Sequence, residues 1–183
     1  MLAPLFWMLS TSLKAPKQIF DFPPRWIPEP IMWSNYPEAF RAAPFVRFFL
    51  NSIKISGMGM VGQLFFSSLA AYAFARLRFP LKNQMFALLL STMMIPYTVR
   101  VIPLYTIVIR LGWINTHLPL VVPPVLSNVF GVFLLRQFFM SLPFELEEAA
   151  RLDGCTSFQI YRKIMLPLAK PALAALGLFT FMG

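Results

Sequence analysis

Glu148-Ala149-Ala150, Gly154 and Ile164-Met165-Leu166-Pro167 are the residues whose types and spacing carry the most chemistry in this chain. The chemistry is not bond-making. Glu145, Glu147 and Glu148 lead into two alanines and Arg151, and the stretches ELEEAARLDG and QIYRK are polar while the sequence on either side is apolar. An ordered charged segment between membrane-length stretches is suited to meet something soluble. The remaining candidates assemble no site. Gly57-Met58-Gly59-Met60-Val61-Gly62 fits G-x-G-x-x-G. A dinucleotide turn, however, needs a strand before it, a helix after it and an acidic residue about 20 positions on. Here the motif sits in an uncharged run followed by the basic RLRFPLK, so close helix packing is the expectation. One cysteine (Cys155) and one histidine (His117) provide neither an intramolecular disulfide nor a metal constellation. No phosphate loop with Lys-Ser/Thr is present, so the chain is not expected to hydrolyse ATP itself. No catalytic residue, metal or cofactor is predicted.

The charged segment reads as two short helices. Ser141-Leu142-Pro143 can start the first, since Ser caps well and Pro is tolerated in a first turn. The glutamates then sit where the helix dipole favours anions. Glu147 and Glu148 lie four and three residues before Arg151, so either can pair with it. Ala149 and Ala150 leave a narrow surface that a groove could accept. Asp153-Gly154 ends this helix, because Gly readily takes the left-handed conformation of a turn. Thr156 with Gln159 three residues on predicts a capping box for a second helix. That helix should place Phe158, Tyr161, Met165 and Leu168 on one side and Arg162 and Lys163 on another. Leu166-Pro167 should stop it before an apolar run begins at Pro171.

The elements around this segment are membrane elements. The chain is 58% hydrophobic with 20 Phe and 17 Pro in 183 residues, and its mean hydropathy is +0.66. That is too apolar for an ordinary soluble domain. The net charge of +9 does not indicate nucleic acid, since the basic residues cluster at the ends of apolar runs, as at Arg76, Arg78 and Lys82, where lipid headgroups lie. Uncharged runs predict spans at Ile55–Ala75, Asn83–Val99 and Leu118–Leu135, each long enough for a core of about 30 Å. Met1–Leu13 and Pro171–Gly183 are shorter and are expected to be parts of two further spans, cut at the ends of the sequence. Ser67, Ala71 and Ala75 recur every fourth residue, which suits close helix packing. Pro96 and Pro103 should kink or end the third span and turn Tyr97–Arg110 along the interface. The Pro- and aromatic-rich stretch 14–48 is expected to be an extracytoplasmic loop lying against the bilayer, with a short helix near Trp33–Ala42 capped by Ser34. The basic connection Arg76–Lys82 marks the cytoplasmic side, and alternation then puts 141–170 inside as well. No acidic residue lies in any predicted span, which argues against a proton-coupled carrier.

The Glu148–Pro167 pattern resembles the signature loop of permease subunits of binding-protein-dependent ABC importers. PLFWMLSTSLK (Pro4–Lys14), PRWIPEP (Pro24–Pro30), FLNS (Phe49–Ser52), AAYAFAR (Ala70–Arg76) and IPLY (Ile102–Tyr105) are similar to the carbohydrate-uptake branch, the maltose- and glycerol-3-phosphate-type permeases. The resemblance implies an all-α polytopic bundle, with residues 1–183 forming one partial permease domain of about five spans. It implies a multi-pass protein of a bacterial or archaeal cytoplasmic membrane that moves a sugar or polyol derivative by alternating access. The implied partners are a cytoplasmic ATPase dimer, a second permease, an extracytoplasmic solute-binding protein and the lipid bilayer, and no nucleic acid. Glu148, Ala149, Ala150, Gly154, Ile164, Leu166 and Pro167 would then be the ATPase-coupling residues. The resemblance names no substrate-binding residue. The alternative reading, a secondary carrier or channel, calls for an intramembrane charge or an inverted repeat, and the sequence has neither.

Overall fold

The structure is a computed structural model that describes residues 2–182, and among these it contains helices and turns but no strand. The residues up to Ser52 form one compact unit and those from Ile53 onward a second.

In the first unit, α1 (Ala3–Ser12) opens with Pro4 in its first turn, where a missing N–H costs nothing. Its carbonyl end is capped by the connection that follows. Asn35 Nδ2 donates to Ser12 O at 3.0 Å and to Lys14 O at 2.9 Å, and Ser10 Oγ donates to Trp26 O at 2.5 Å. Trp7 meets Trp26 edge-on at 5.2 Å. Lys14 is buried, with Nζ 3.9 Å from the centre of the Trp7 ring, so the indole face supplies part of the stabilisation that water would give the cation. The connection is therefore folded onto α1. The helix expected near Trp33–Ala42 is α2 (Asn35–Ala42); Ser34 holds its cap position, but the hydroxyl makes no capping bond. The connection ends at Pro44 rather than Phe48, because α3 (Phe45–Arg76) begins there.

In the second unit, α3 contains the predicted span and holds Gly57–Gly62 in its interior. No strand precedes that motif, so the dinucleotide reading is excluded. Gly62 is the glycine used for packing: a Cβ there would stand 2.6 Å from Val125 Cγ2. Ser67 and Ala71 are buried and Ala75 packs partly against the core, so the four-residue stripe is the face α3 turns inward. α4 (Lys82–Ser91) runs on as a tight turn through Met94. The chain then bends by 100° into α5 (Tyr97–Arg110). The predicted span Asn83–Val99 thus stops at Met94, because Pro96 has no N–H to continue the helix and holds Ile95 extended. Pro103 stays inside α5 without ending it.

The predicted span Leu118–Leu135 reaches Ser141 but consists of two helices, α6 (Leu118–Leu126) and α7 (Val129–Ser141). Asn128 bridges them. Its Oδ1 accepts from Gly131 N at 2.8 Å, its Nδ2 donates to Gln63 Oε1 at 2.7 Å, and its carbonyl accepts from Ser67 Oγ at 3.4 Å. These bonds satisfy backbone and amide groups that hydrocarbon could not. Gly131 lets α7 approach α3, since a Cβ there would lie 2.8 Å from Ser67 Oγ.

Phe45–Arg76 and Leu118–Ser141 are each long and apolar enough to cross a membrane. Two bent pairs qualify only when joined: Lys82–Met94 with Tyr97–Arg110, and Ser157–Leu168 with Lys170–Met182, the latter bent by 75°. The basic connection makes bonds within the chain. Arg76 donates to Phe139 O at 2.6 Å and Leu142 O at 2.5 Å, and Lys82 Nζ donates to Leu77 O at 2.9 Å. Both cations occupy carbonyl ends of helices, where the dipole favours them. Arg78 alone of the three is exposed.

Candidate partner-docking loop

The charged segment folds as α8 (Glu145–Leu152), α9 (Ser157–Ile160), a π-helical turn Tyr161–Met165, and α10 (Leu166–Leu168), leading into α11 (Lys170–Met182). Phe144, not Ser141, is the N-terminal cap residue of α8, and no side chain caps it. Ser141 instead closes α7, donating to Phe138 O at 2.8 Å. Three glutamates in the first turn of α8 stand in for the absent cap through the helix dipole.

Gly154 ends α8 as its residue type predicts, at φ +79°. Gly154 N bonds to Arg151 O at 3.0 Å and Cys155 N to Ala150 O at 2.9 Å, the paired bonds of a Schellman motif. The capping box is present: Gln159 N donates to Thr156 Oγ1, and Thr156 N donates to Gln159 Oε1 at 2.7 Å. The turn between the two helices is thereby fixed by backbone and side-chain bonds.

Of the two possible partners for Arg151, the structure uses Glu147, at 2.8 Å. Glu147 is 1% exposed while Arg151 is about half-exposed. The hydrogen bond to Glu147 raises the pKa of Arg151 above its usual value. Glu148 is left exposed, beside Ala149. Ala150 turns the other way and is buried, so it is a packing residue rather than part of an outward surface. The spacing of the alanines did not reveal this division. Gly154 and Pro167 are exposed, while Ile164 and Leu166 are partly buried against the core.

The second helix departs from the single apolar stripe expected of it. Ile160, Tyr161 and Met165 are buried, and Phe158 and Leu168 remain exposed. The cause is Pro167, which has no N–H to offer Lys163 O. The backbone shifts there to an i→i−5 bond, Leu166 N to Tyr161 O, and the wider turn takes up an extra residue, so that Ala169 rather than Leu168 faces the core after it. Pro167 does not stop the helix; the break comes at Ala169, after α10.

The loop is seated in the core of the second unit. Ala150, Ile160, Tyr161 and Met165 pack in one cluster with Ala71, Tyr72, Phe86, Leu135, Phe139 and Leu176. Burying a side chain such as Ile160 or Met165 contributes about 1.5–3 kcal/mol. Tyr161 Oη also lies 2.7 Å from Ser68 Oγ of α3. Beside α8, Arg76, Arg78, Phe144, Glu147, Glu148, Arg151 and Ser157 surround a cleft of about 560 Å³. Glu147 Oε2 and Arg76 Nε, both buried, have no hydrogen-bond partner among the described residues. Arg76 and Tyr72, which hold the base of this loop, were legible in the sequence only as a membrane-end cation and a span residue.

Residues 63–183 match the family described as binding-protein-dependent transport system inner membrane component. The sn-glycerol-3-phosphate transport system permease protein UgpE of Yersinia enterocolitica is 38% identical over 170 residues, covering 90% of this chain and 60% of that protein. The probable ABC transporter permease protein YurM of Bacillus subtilis is 35% identical over 182 residues, covering 97% of this chain and 59% of that one. Among solved structures, a chain of a bacterial ABC transporter involved in the import of the acidic polysaccharide alginate superimposes with a TM-score of 0.86 at 27% identity, over 99% of this chain and 64% of its own. The chain thus spans about three-fifths of the length of these relatives. With its helical, membrane-length architecture and its two-helix charged loop, the chain belongs to the binding-protein-dependent transport system inner membrane component family, the permease subunits of ABC importers.

Proposed function

We propose that this chain acts, within its full-length protein, as one permease of an ATP-driven importer and that α8 to α10 is where a cytoplasmic ATPase docks. A second permease completes the pathway, and an extracytoplasmic binding protein delivers the solute. The observation that carries the reading is the two-sidedness of α8. Glu147 and Ala150 are buried toward the chain's own helices, while Glu148 and Ala149 face outward. A partner gripping the outer face would therefore move a loop packed against α3, α4, α7 and α11. Rigid-body transmission of this kind is what alternating access requires. The polar cleft beside α8 supports the same reading, since exposed Arg78, Glu148 and Arg151 on its rim offer donors and acceptors to a docking residue. The cargo is a sugar or polyol derivative, in keeping with the sn-glycerol-3-phosphate and alginate carried by the similar transporters.

The test is a cysteine at Ala149 in the full-length protein, with native Cys155 replaced by Ser, crosslinked in membranes to the ATPase. A nucleotide-dependent crosslink is expected. Glu148→Lys should insert normally yet lose solute-stimulated ATP hydrolysis. No crosslink, together with normal stimulation in Glu148→Lys, would refute the docking role.

A further inference from the structure

A second cavity, of about 500 Å³, lies between α5 and α6. It is lined by Tyr97, Arg100, Leu104, Pro119, Pro123 and Ser127, with Leu120 and Pro124. The volume is within the range of small-molecule sites. Its wall is apolar except at three places, and each has a chemical meaning.

The first is Arg100. Its guanidinium lies 5.9 Å from the centre of the Tyr97 ring and makes no hydrogen bond or ion pair among the described residues. No carboxylate can pair with it nearby in sequence, because no Asp or Glu occurs between Glu38 and Glu145. In the second unit the acidic side chains are confined to the α8 loop. An exposed guanidinium on a cavity wall, with no carboxylate in reach, has its charge and its donors open to an anionic ligand. The second is a pair of carbonyls. Pro123 and Pro124 lie inside α6 and have no N–H, so Pro119 O and Leu120 O lose their helical donors. Unwound or proline-freed backbone at membrane depth persists where it lines a cavity. The third is Ser127, at the break between α6 and α7, whose hydroxyl is tied to Pro123 O at 2.8 Å.

We infer that Arg100 is an oxyanion subsite for the transported solute, so that the cargo is an anionic polyol or sugar, bearing a phosphate or carboxylate. The guanidinium takes the anion in a bidentate pair, and the freed carbonyls of Pro119 and Leu120 accept from the solute's hydroxyls. The solute supplies the negative charge that the chain lacks. This inference rests on the permease reading and deepens it by naming a charge class and a specificity residue.

The experiment reconstitutes the full-length transporter, with its partner permease, ATPase and binding protein, in vesicles of neutral lipid and in vesicles containing anionic lipid. Uptake of sn-glycerol-3-phosphate and of an uncharged disaccharide is measured for wild type, Arg100→Gln and Arg100→Lys. Arg110→Gln, another exposed arginine on α5 outside the cavity, is the control. Wild type is expected to carry the anionic probe. Arg100→Gln should raise its KM about 10- to 100-fold, the loss of a charge-assisted pair, with Arg100→Lys intermediate and Arg110→Gln unchanged. Equal KM values in Arg100→Gln and wild type would overturn the inference, as would uptake of only the uncharged sugar; both leave the permease reading standing. A defect in Arg100→Gln that appears only in anionic-lipid vesicles would assign the cavity to a headgroup and overturn the solute role. ATP-independent uptake, or none of either probe, would count against the permease reading itself.

Discussion

Replacing Gly154 tests the docking loop most directly, because the structure isolates its energetic role. A Cβ at this position would meet nothing within 4 Å, so sterics with neighbours contribute nothing. What remains is the backbone: φ is +79°, and an L-residue held in the left-handed region costs about 1–2 kcal/mol. Asn tolerates that region better than Ala, so Gly154→Asn should cost less than Gly154→Ala. Proline cannot adopt φ near +79° and cannot donate the bond from Gly154 N to Arg151 O, so Gly154→Pro should break the Schellman motif outright. At about 1–2 kcal/mol the alanine variant shifts the closed turn toward open forms by roughly 5- to 30-fold. Hydrogen exchange at the Cys155 amide, which bonds to Ala150 O, reads that shift in the full-length protein in detergent. Solute-stimulated ATP hydrolysis in membranes reads its consequence. Protection of that amide and stimulation of hydrolysis should both fall in the order Gly, Asn, Ala, Pro, with insertion unchanged. An alanine variant as well protected as wild type, or protected better than the asparagine variant, would refute the strain argument. Normal stimulation in Gly154→Pro would show that the geometry of the turn does not matter to coupling.

Arg151→Ala leaves Glu147 buried without its cation, so it should destabilise the full-length protein; thermal unfolding in detergent checks this, and an unchanged melting temperature would count against it. Gly131→Val should destabilise by at least about 1–3 kcal/mol, because even a Cβ stands 2.8 Å from Ser67 Oγ. In the same unfolding assay Gly57→Ala, with open space around it, should differ little from wild type.

Much of the fold could be read from residue type. Uncharged length located α3 and the α6–α7 span, and Pro96 forecast the bend into α5. Gly154 and the Thr156–Gln159 pair forecast the turn and the cap because each acts through its own backbone. What stayed hidden depended on distant partners. Arg76 looks like a headgroup anchor until Phe139 O and Leu142 O are brought beside it. Lys14 looks exposed until Trp7 covers it. Ala149 and Ala150 are alike in sequence, and only the packing of α8 makes one a surface and the other a core residue. The interruption at Ser127-Asn128 was masked by the apolar residues on both sides, although an Asn inside an uncharged run was a usable signal. Tyr161 and Met165 were assigned correctly to an apolar side, but the phase of that side after Pro167 depends on a hydrogen bond that residue type does not encode.

The π-turn at Tyr161–Met165 has a consequence for insertions and deletions. It contains one residue more than an α-helical path would need. Removing one residue there would restore i→i−4 bonding and leave the faces on either side in phase, because the wide turn already absorbs the extra residue. Ile160 would then keep its place in the core beside Ala169 and Leu176. The turn is therefore a local buffer for chain length. Deleting a residue from α9 instead, where each residue turns the helix by about 100°, should disturb the loop more than most substitutions would.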